Sequence, residues 1–413
     1  HGLFHGRSMA AMAEIECNGM PIDNKLYDEI NNNFPLIKEK IINDFNAKYP
    51  VYENGKFSMK KFKAFIDSLG LLQQWPRTPS GALSITEKNI YNYAQSYPAI
   101  NEFYFVKEFV ESQKLKGFVV GPDGRARTSL NMFGIKTGRT NQSTALYPFN
   151  AAKPMRNILC PAPNHAYIYA DYVSQEIAIA AYLSKDEKLI NAYKEGDVYI
   201  YTAKLAGAVP ADATKKTHKK ERNEYKIATL ATFYGQGHKS LAARLMISEA
   251  KAIELIANIK NIYSTYFGWV NGLVSRTFAR GYISTKYGWK LWITNVDKIN
   301  PRTLSNFPIQ AHGSEMLRFA ILNLIKNKIE ISASIHDGLL IHCPLARLPQ
   351  TEAKVVKCME DASKTVLNGN VCNVEYEVIK SNFKQEQEEQ DKFERILSMI
   401  RTVRSDRTVC STN

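Results

Sequence analysis

The stretch Thr217–Gly237, THKKERNEYKIATLATFYGQG, constrains this chain more than any other. Arg222, Lys226, Leu230 and Tyr234 recur every four residues, and on an α-helix such residues fall along one slowly drifting face. Gly235 follows directly. One surface then carries two cations, an apolar residue and an aromatic ring, a set suited to phosphate oxygens and to the flat face of a base. In isolation, a basic amphipathic helix with its apolar side in a core accounts for the stretch better. The company it keeps changes that balance.

Two other stretches place carboxylates at the tips of strands. In NHAYIYADYVSQEIAIAAYLS the run Ala166–Tyr172 reads as a buried strand, and a helical pattern begins at Ser174. Asp171 therefore stands where strand passes to helix, with Glu176 on the helix looking into the same space. A helix N-terminal cap is the commoner role for a lone Asp in that place. Further on, EISASIHDGLLIHCP reads as two short strands joined at His336, Asp337 and Gly338. Asp-Gly is a strong hairpin signal in its own right. Two carboxylates at strand tips far apart in sequence are nevertheless what a two-metal site requires. A third stretch, PRTLSNFPIQAHGSEMLRFAILNLIKNK, spaces Arg302, Asn306 and Gln310 by four, giving a polar ridge before the helix turns apolar. Such a ridge suits a nucleic-acid groove, and equally suits capping and salt bridges.

The remaining texture frames these stretches. The chain has 413 residues, 45% of them hydrophobic and 23% charged, which predicts a globular protein of two or three subdomains. It shows no membrane-spanning run and no signal peptide. A formal net charge of +14 favours a polyanionic partner, nucleic acid before a membrane surface. The six cysteines form no CxxC pair and read as reduced intracellular thiols rather than a zinc site. Residues 1–118 read as mainly helical, with a helix ending at Asn18-Gly19, a second over about Lys25–Ala47 and a third over about Ile100–Lys116. From Gly121, GPDGRARTSLNMFGIKTGRTNQS predicts short strands and turns that expose Arg125, Arg127, Lys136 and Arg139 to phosphates or simply to solvent. RGYISTKYGWKLWI predicts a hairpin, Leu345–Leu367 an amphipathic helix and VEYEVIKSN a last strand. Beyond Lys384 the charged sequence predicts a surface helix fading into a disordered end.

Together, in this order and at these spacings, the stretches resemble the polymerase module of the family A DNA polymerases, the DNA polymerase I-like enzymes of bacteria and phages. The resemblance runs from about Ala13 to Asn382. AEIECNGMPID is similar to the family's opening thumb segment, and DGR with KTGRTNQS to its palm segment containing TGR. ADYVSQE is similar to motif A, the helix with Arg222, Lys226, Leu230, Tyr234 and Gly235 to motif B, and His336-Asp337 to motif C. The resemblance implies an α+β right-hand fold with an antiparallel-sheet palm and mainly helical fingers and thumb. Its segments would be a thumb over 1–118, palm over 119–185 and 291–382, fingers over 186–290, and a charged C-terminal tail over 383–413.

It also implies roles. Asp171, Asp337 and the Tyr172 carbonyl would hold two Mg²⁺ ions, with Mn²⁺ as a substitute. Arg222 and Lys226 would grip the triphosphate, with Lys226 as proton donor to pyrophosphate. Gln175, Glu176, Leu230 and Tyr234 would contact the dNTP, Glu176 and Tyr234 excluding a 2′-hydroxyl. Arg139, Arg302, Asn306, Gln310 and His336 would hold primer-template DNA. The expected function is template-directed DNA synthesis in replication or repair, inside a bacterium or phage-infected cell. The chain opens at His1 without an initiator Met, which suggests a processed product or excised domain; too few residues precede Ala13 for the exonuclease that often comes first in the family, so an exonuclease or helicase would be a separate or upstream partner. Four departures stand out: Leu230 where the family usually has Phe or Tyr, Val173 ahead of Ser-Gln, Gly338 in place of the customary Glu, and Tyr199 where many relatives carry a phosphate-contacting His. A catalytically silent, polymerase-shaped nucleic-acid-binding module is the alternative, as is a related polymerase with a different choice of template or sugar.

Overall fold

The computed structural model describes residues 2–78, 80–111, 119–142, 147–150, 153–295, 299–383 and 387–410. Helix α1 (Gly2–Asn18) stops at Gly19, whose φ is +62°. A Cβ at Gly19 would lie 2.8 Å from the Ala126 carbonyl oxygen, so conformation and space both require glycine there. After β1 (Met20–Pro21), Asp23 caps α2 (Asn24–Lys48) by accepting from the Leu26 amide at 2.9 Å. The hairpin β2 (Tyr52–Glu53) and β3 (Lys56–Phe57) leads to α3 (Met59–Ser68), α4 (Glu87–Ala94) and α5 (Pro98–Glu111). Four short strands follow: β4 (Val119–Val120), β5 (Arg125–Arg127), β6 (Leu130–Asn131) and β7 (Asn141–Gln142).

The long strand β8 (His165–Tyr172) is followed by α6 (Gln175–Ser184), α7 (Glu187–Lys194), α8 (Val198–Leu205), α9 (Lys219–Phe233), α10 (His238–Leu245), α11 (Glu249–Ile262) and α12 (Ser264–Arg280). The hairpin β9 (Tyr282–Ser284) and β10 (Lys290–Trp292) precedes α13 (Pro301–Lys326). The chain closes with β11 (Ile331–Ile335), β12 (Gly338–Pro344), α14 (Leu348–Val366), β13 (Val374–Ile379) and α15 (Gln387–Cys410).

The chain divides into two compact units. One comprises 1–18, 130–141 and 164–378; the other comprises 19–129, 142–163 and 379–413. The first is built on a four-stranded sheet of order β11-β12-β8-β13, in which β12 runs antiparallel to both β11 and β8. One face of β8, carrying Ala166, Ile168, Ala170 and Tyr172, is buried in the core with α6, α13 and α14. Alternation then turns Asp171 to the opposite face. The second unit is mainly helical around an aromatic core of Phe45, Phe62, Phe65, Trp75 and Phe103.

The helices, hairpins and strands expected from sequence occur with their ends within a few residues; the expected helix end near Lys116 lies outside the described residues. The helix expected in the C-terminal segment is present, but it is not purely a surface helix. It is α15, and Phe393, Ile396, Met399 and Ile400 bury its apolar side in the aromatic unit's core. Spacings of three and four put these residues on one stripe, which the surrounding charge concealed. Within the segment expected to be thumb, α1 belongs to the sheet-bearing unit instead, where it packs on β11 and α13 and its Asn18 amide donates to the Ile331 carbonyl at 3.1 Å.

Candidate active site

Everything described here lies in the sheet-bearing unit. The pairing of Leu339 with Ala170 sets the register of β12 on β8. One residue beyond that pair on each chain brings Gly338 opposite Asp171, so Asp337, in the β11–β12 turn, and Asp171 share one end of the sheet. His336 has a left-handed backbone at φ +54°, which makes the turn. Burial, reinforced by the neighbouring Asp337 charge, pushes the Asp171 carboxyl up to about 7, and Glu375 on β13 adds to the effect. A carboxylate whose ionisation is made costlier by burial and by a second carboxylate nearby provides a place for a divalent cation. The described residues contain no cluster of three or more acidic, His or Cys ligands. That donor set fits Mg²⁺, which is commonly held by one or two carboxylates and completes its shell with substrate phosphates and water. The Tyr172 side chain is turned away from this sheet end, its hydroxyl buried and donating to the Met359 carbonyl at 2.8 Å.

Gly338 has a physical reason. A Cβ there would stand 3.0 Å from the Ala170 carbonyl oxygen and 3.1 Å from the Tyr169 hydroxyl. Tyr169 thus fills the space into which a side chain at 338 would grow.

Helix α9 buries Tyr225, Ala228, Thr229, Ala231 and Thr232 and presents Arg222, Lys226, Leu230 and Tyr234 on its other side. It ends at Phe233, with Tyr234 as its C-terminal cap. Gly235 takes φ +69°, and the Gln236 amide returns to the Ala231 carbonyl at 2.8 Å. A Cβ at Gly235 would meet the Arg302 side chain at 3.3 Å, so the helix end lies directly against the start of α13.

Between α9, α6, α12 and α13 opens a cleft lined by Glu176, Leu230, Phe233, Tyr234, Tyr266, Asn306 and Gln310, with Ile177 and Ile309. At its mouth the Tyr234 hydroxyl donates to the Glu176 carboxylate, and Arg139 approaches the other Glu176 oxygen at 3.5 Å. Burial, then that acceptor, holds the Tyr234 phenol well above its usual range. Arg139 is itself anchored by its neighbour: the Gly138 carbonyl accepts from the buried Arg318 guanidinium at 2.6 Å.

Of the expected site residues, the cleft gathers Glu176, Leu230, Tyr234, Asn306 and Gln310, and Arg139 and Arg302 adjoin it. Gln175 is elsewhere. It is 2% exposed, and its amide presses on Gly313, where a Cβ would fall 2.5 Å from Oε1. Lys226 is exposed and forms no ion pair among the described residues. Arg222 is engaged already, through Nε to Asp197 at 2.8 Å. Asp197, Phe233, Tyr266 and Glu375 were missed. The phrase GDVYIY before a helical run marks Asp197 as a cap, but nothing local announces its second partner.

The fold is shared with a solved polymerase. The POL domain of Pol1 from M. smegmatis, determined with DNA primer-template and dNTP, superimposes with a TM-score of 0.73 at 20% identity, covering 91% of this chain and 69% of that one. The expected α+β fold of right-hand polymerase type is borne out by that likeness. The profile of DNA polymerase family A matches residues 67–381, and the chain belongs to that family. Among curated relatives, thermostable DNA polymerase I of Thermus thermophilus is 23% identical over 85% of this chain and 44% of its own length. DNA polymerase I of Aquifex aeolicus is 25% identical over 86% of this chain and 62% of its own length. The chain therefore spans roughly half the length of these relatives. No helix among the described residues is long and apolar enough to cross a membrane.

Proposed function

We propose that the chain is a DNA-directed DNA polymerase that adds dNTPs to a primer 3′-hydroxyl. The observation that carries this reading is the meeting, in one unit, of the Asp171–Asp337 pair at a sheet end with an aromatic-lined cleft beside a basic helix. Asp171, Asp337 and the Tyr172 carbonyl would hold two Mg²⁺ ions, which when bound supply charge stabilisation on both the entering and the leaving oxygen.

The chain's own side chains do the rest. Arg222 and Lys226 bind phosphate oxygens, and Lys226, exposed and without an ion-pair partner among the described residues, passes a proton to pyrophosphate. Leu230 packs against the base without stacking. The Tyr234–Glu176 contact closes one side of the cleft, and this pair would exclude a 2′-hydroxyl, which favours dNTPs over rNTPs. Arg139, Arg302, Asn306, Gln310 and His336 line the path of the primer-template, contacting it largely without reading sequence. We assign the palm to 119–185 and 291–382, the fingers to 186–290 and the thumb to 1–118 apart from α1, with 383–413 as the charged C-terminal segment. The work belongs wherever DNA and dNTPs are found, inside a bacterial or phage-infected cell.

Extension of a labelled primer on a DNA template with Mg²⁺ tests the reading, run with dNTPs, with rNTPs and with an Asp337→Ala control. Extension with dNTPs that disappears in the control is the expected result. Tight primer-template binding without extension would replace it with the silent binding module.

A further inference from the structure

Asp197 is shared between two tasks. It precedes α8, and its Oδ1 accepts from the backbone amides of Tyr199 and Ile200, both at 3.2 Å, as a helix cap does. Its Oδ2 accepts from Arg222 Nε at 2.8 Å. The Tyr199 ring lies against the Arg222 guanidinium, 5.3 Å from its carbon to the ring centroid. Arg222 is thus gripped at one nitrogen and one face. Its two terminal Nη groups make no hydrogen bond among the described residues, and the side chain keeps 28% of its surface exposed, against 15% for Asp197. A guanidinium binds phosphate best through two parallel N–H groups, and a side chain held in that orientation beforehand loses less freedom on binding.

We infer that Asp197 is a positioning residue for nucleotide binding: with Tyr199 it forms a socket that presents the Arg222 Nη groups to a triphosphate. This rests on the nucleotide site proposed above. It also runs against the simplest electrostatic expectation. An anion 2.8 Å from the phosphate-binding cation lowers the local positive potential, so a carboxylate that acted only through its charge would weaken triphosphate binding, and its removal would tighten it. The socket makes the opposite prediction.

The test is calorimetric titration of dATP with Mg²⁺ into the full chain, comparing wild type with Asp197→Asn and Arg222→Ala, beside steady-state primer extension. Asn keeps an oxygen for the α8 amides but offers Arg222 no anion, so thermal unfolding of Asp197→Asn should follow wild type. The expected outcome is dATP binding weaker by about tenfold in Asp197→Asn, the loss of one oriented charge-assisted contact. In extension the loss should appear in KM for dATP rather than in kcat. Arg222→Ala should weaken binding at least as much. Wild-type or tighter binding by Asp197→Asn overturns the inference and leaves Asp197 a cap or a competitor of phosphate. Wild-type binding by Arg222→Ala, or no dATP binding by the wild-type chain, overturns it as well. A chain that binds dATP in this pattern yet extends no primer would refute the polymerase reading and leave the socket standing.

Discussion

The two units solve the problem of a core in different ways. The mainly helical unit is filled with rings: Phe62 lies 5.0 Å from Phe103 and 5.6 Å from Trp75 between centroids, and Phe45 joins Phe103 at 5.9 Å. The sheet-bearing unit has rings at its cleft too, but it also packs small side chains between its helices, among them Ala178, Ala180 and Ala181 of α6, Ala228 of α9 and Ala320 of α13, all fully buried. Rings bury much apolar area per residue and want few polar neighbours. Alanines bury little, but they let helices approach closely enough for backbone carbonyls and charged tips to meet. The buried charged residues of the described chain, Asp186, Glu315 and Arg318, all lie in the alanine-rich unit. Binding chemistry needs that closeness, whereas the aromatic unit needs only bulk.

Substitutions can set the two units against each other. The largest effect belongs to the site. Asp171→Ala should reduce primer extension by about a thousandfold or more, since several kcal/mol of transition-state stabilisation depend on its charge. Its circular dichroism and thermal unfolding should stay close to wild type, because the side chain is at a sheet end and not in the core. Retention of substantial activity would remove Asp171 from the metal assignment. Phe103→Ala should do the reverse, costing about 3–5 kcal/mol of stability in denaturant titration while the apparent KM for dNTP at low temperature stays put. A changed KM would mean that the aromatic unit shapes the nucleotide site.

The smallest effect sharpens the account of buried charge. Glu315 is fully buried, and burial pushes its carboxyl up to about 7 from an ordinary 4.5, although Thr285 donates to it at 2.5 Å and Arg318 lies close. Between those two values the folded chain holds a proton that the unfolded chain has released. The stability contributed by this group is therefore complete below pH about 4.5 and is lost as pH rises to about 7. Glu315→Gln should flatten that slope, seen as a smaller fall in denaturation midpoint between pH 5 and pH 8 than wild type shows. An unchanged slope would assign the pH dependence to other groups.

Much of this was legible locally. The four-residue spacing from Arg222 to Tyr234 describes α9 and its exposed ridge correctly, because a helix face is a matter of residue spacing alone. The strand before Asp171, the turn at His336-Asp337 and the polar ridge of α13 were legible for the same reason. Three things were not. Gln175 has a polar side chain next to Glu176, yet α6 turns it into the contact with Gly313 and away from the cleft. The four apolar residues of α15 were masked by the charge between them. Asp197 carries a recognisable capping signal, but its ion pair lies 25 residues away on another helix.

The sequence by itself determined the chemical inventory: which helix carries the cations, which strand ends carry carboxylates, and in what order they come. These are consequences of short-range periodicity and turn chemistry, set within a few residues of each group. Only the tertiary structure decided which of these groups meet. It brought Asp171 beside Asp337, Tyr234 onto Glu176 and Arg222 onto Asp197, and it held Arg139 through the Gly138 carbonyl and Arg318. Such pairings depend on sheet register and on how closely small side chains let helices pack, and neither is written in the neighbourhood of any one residue.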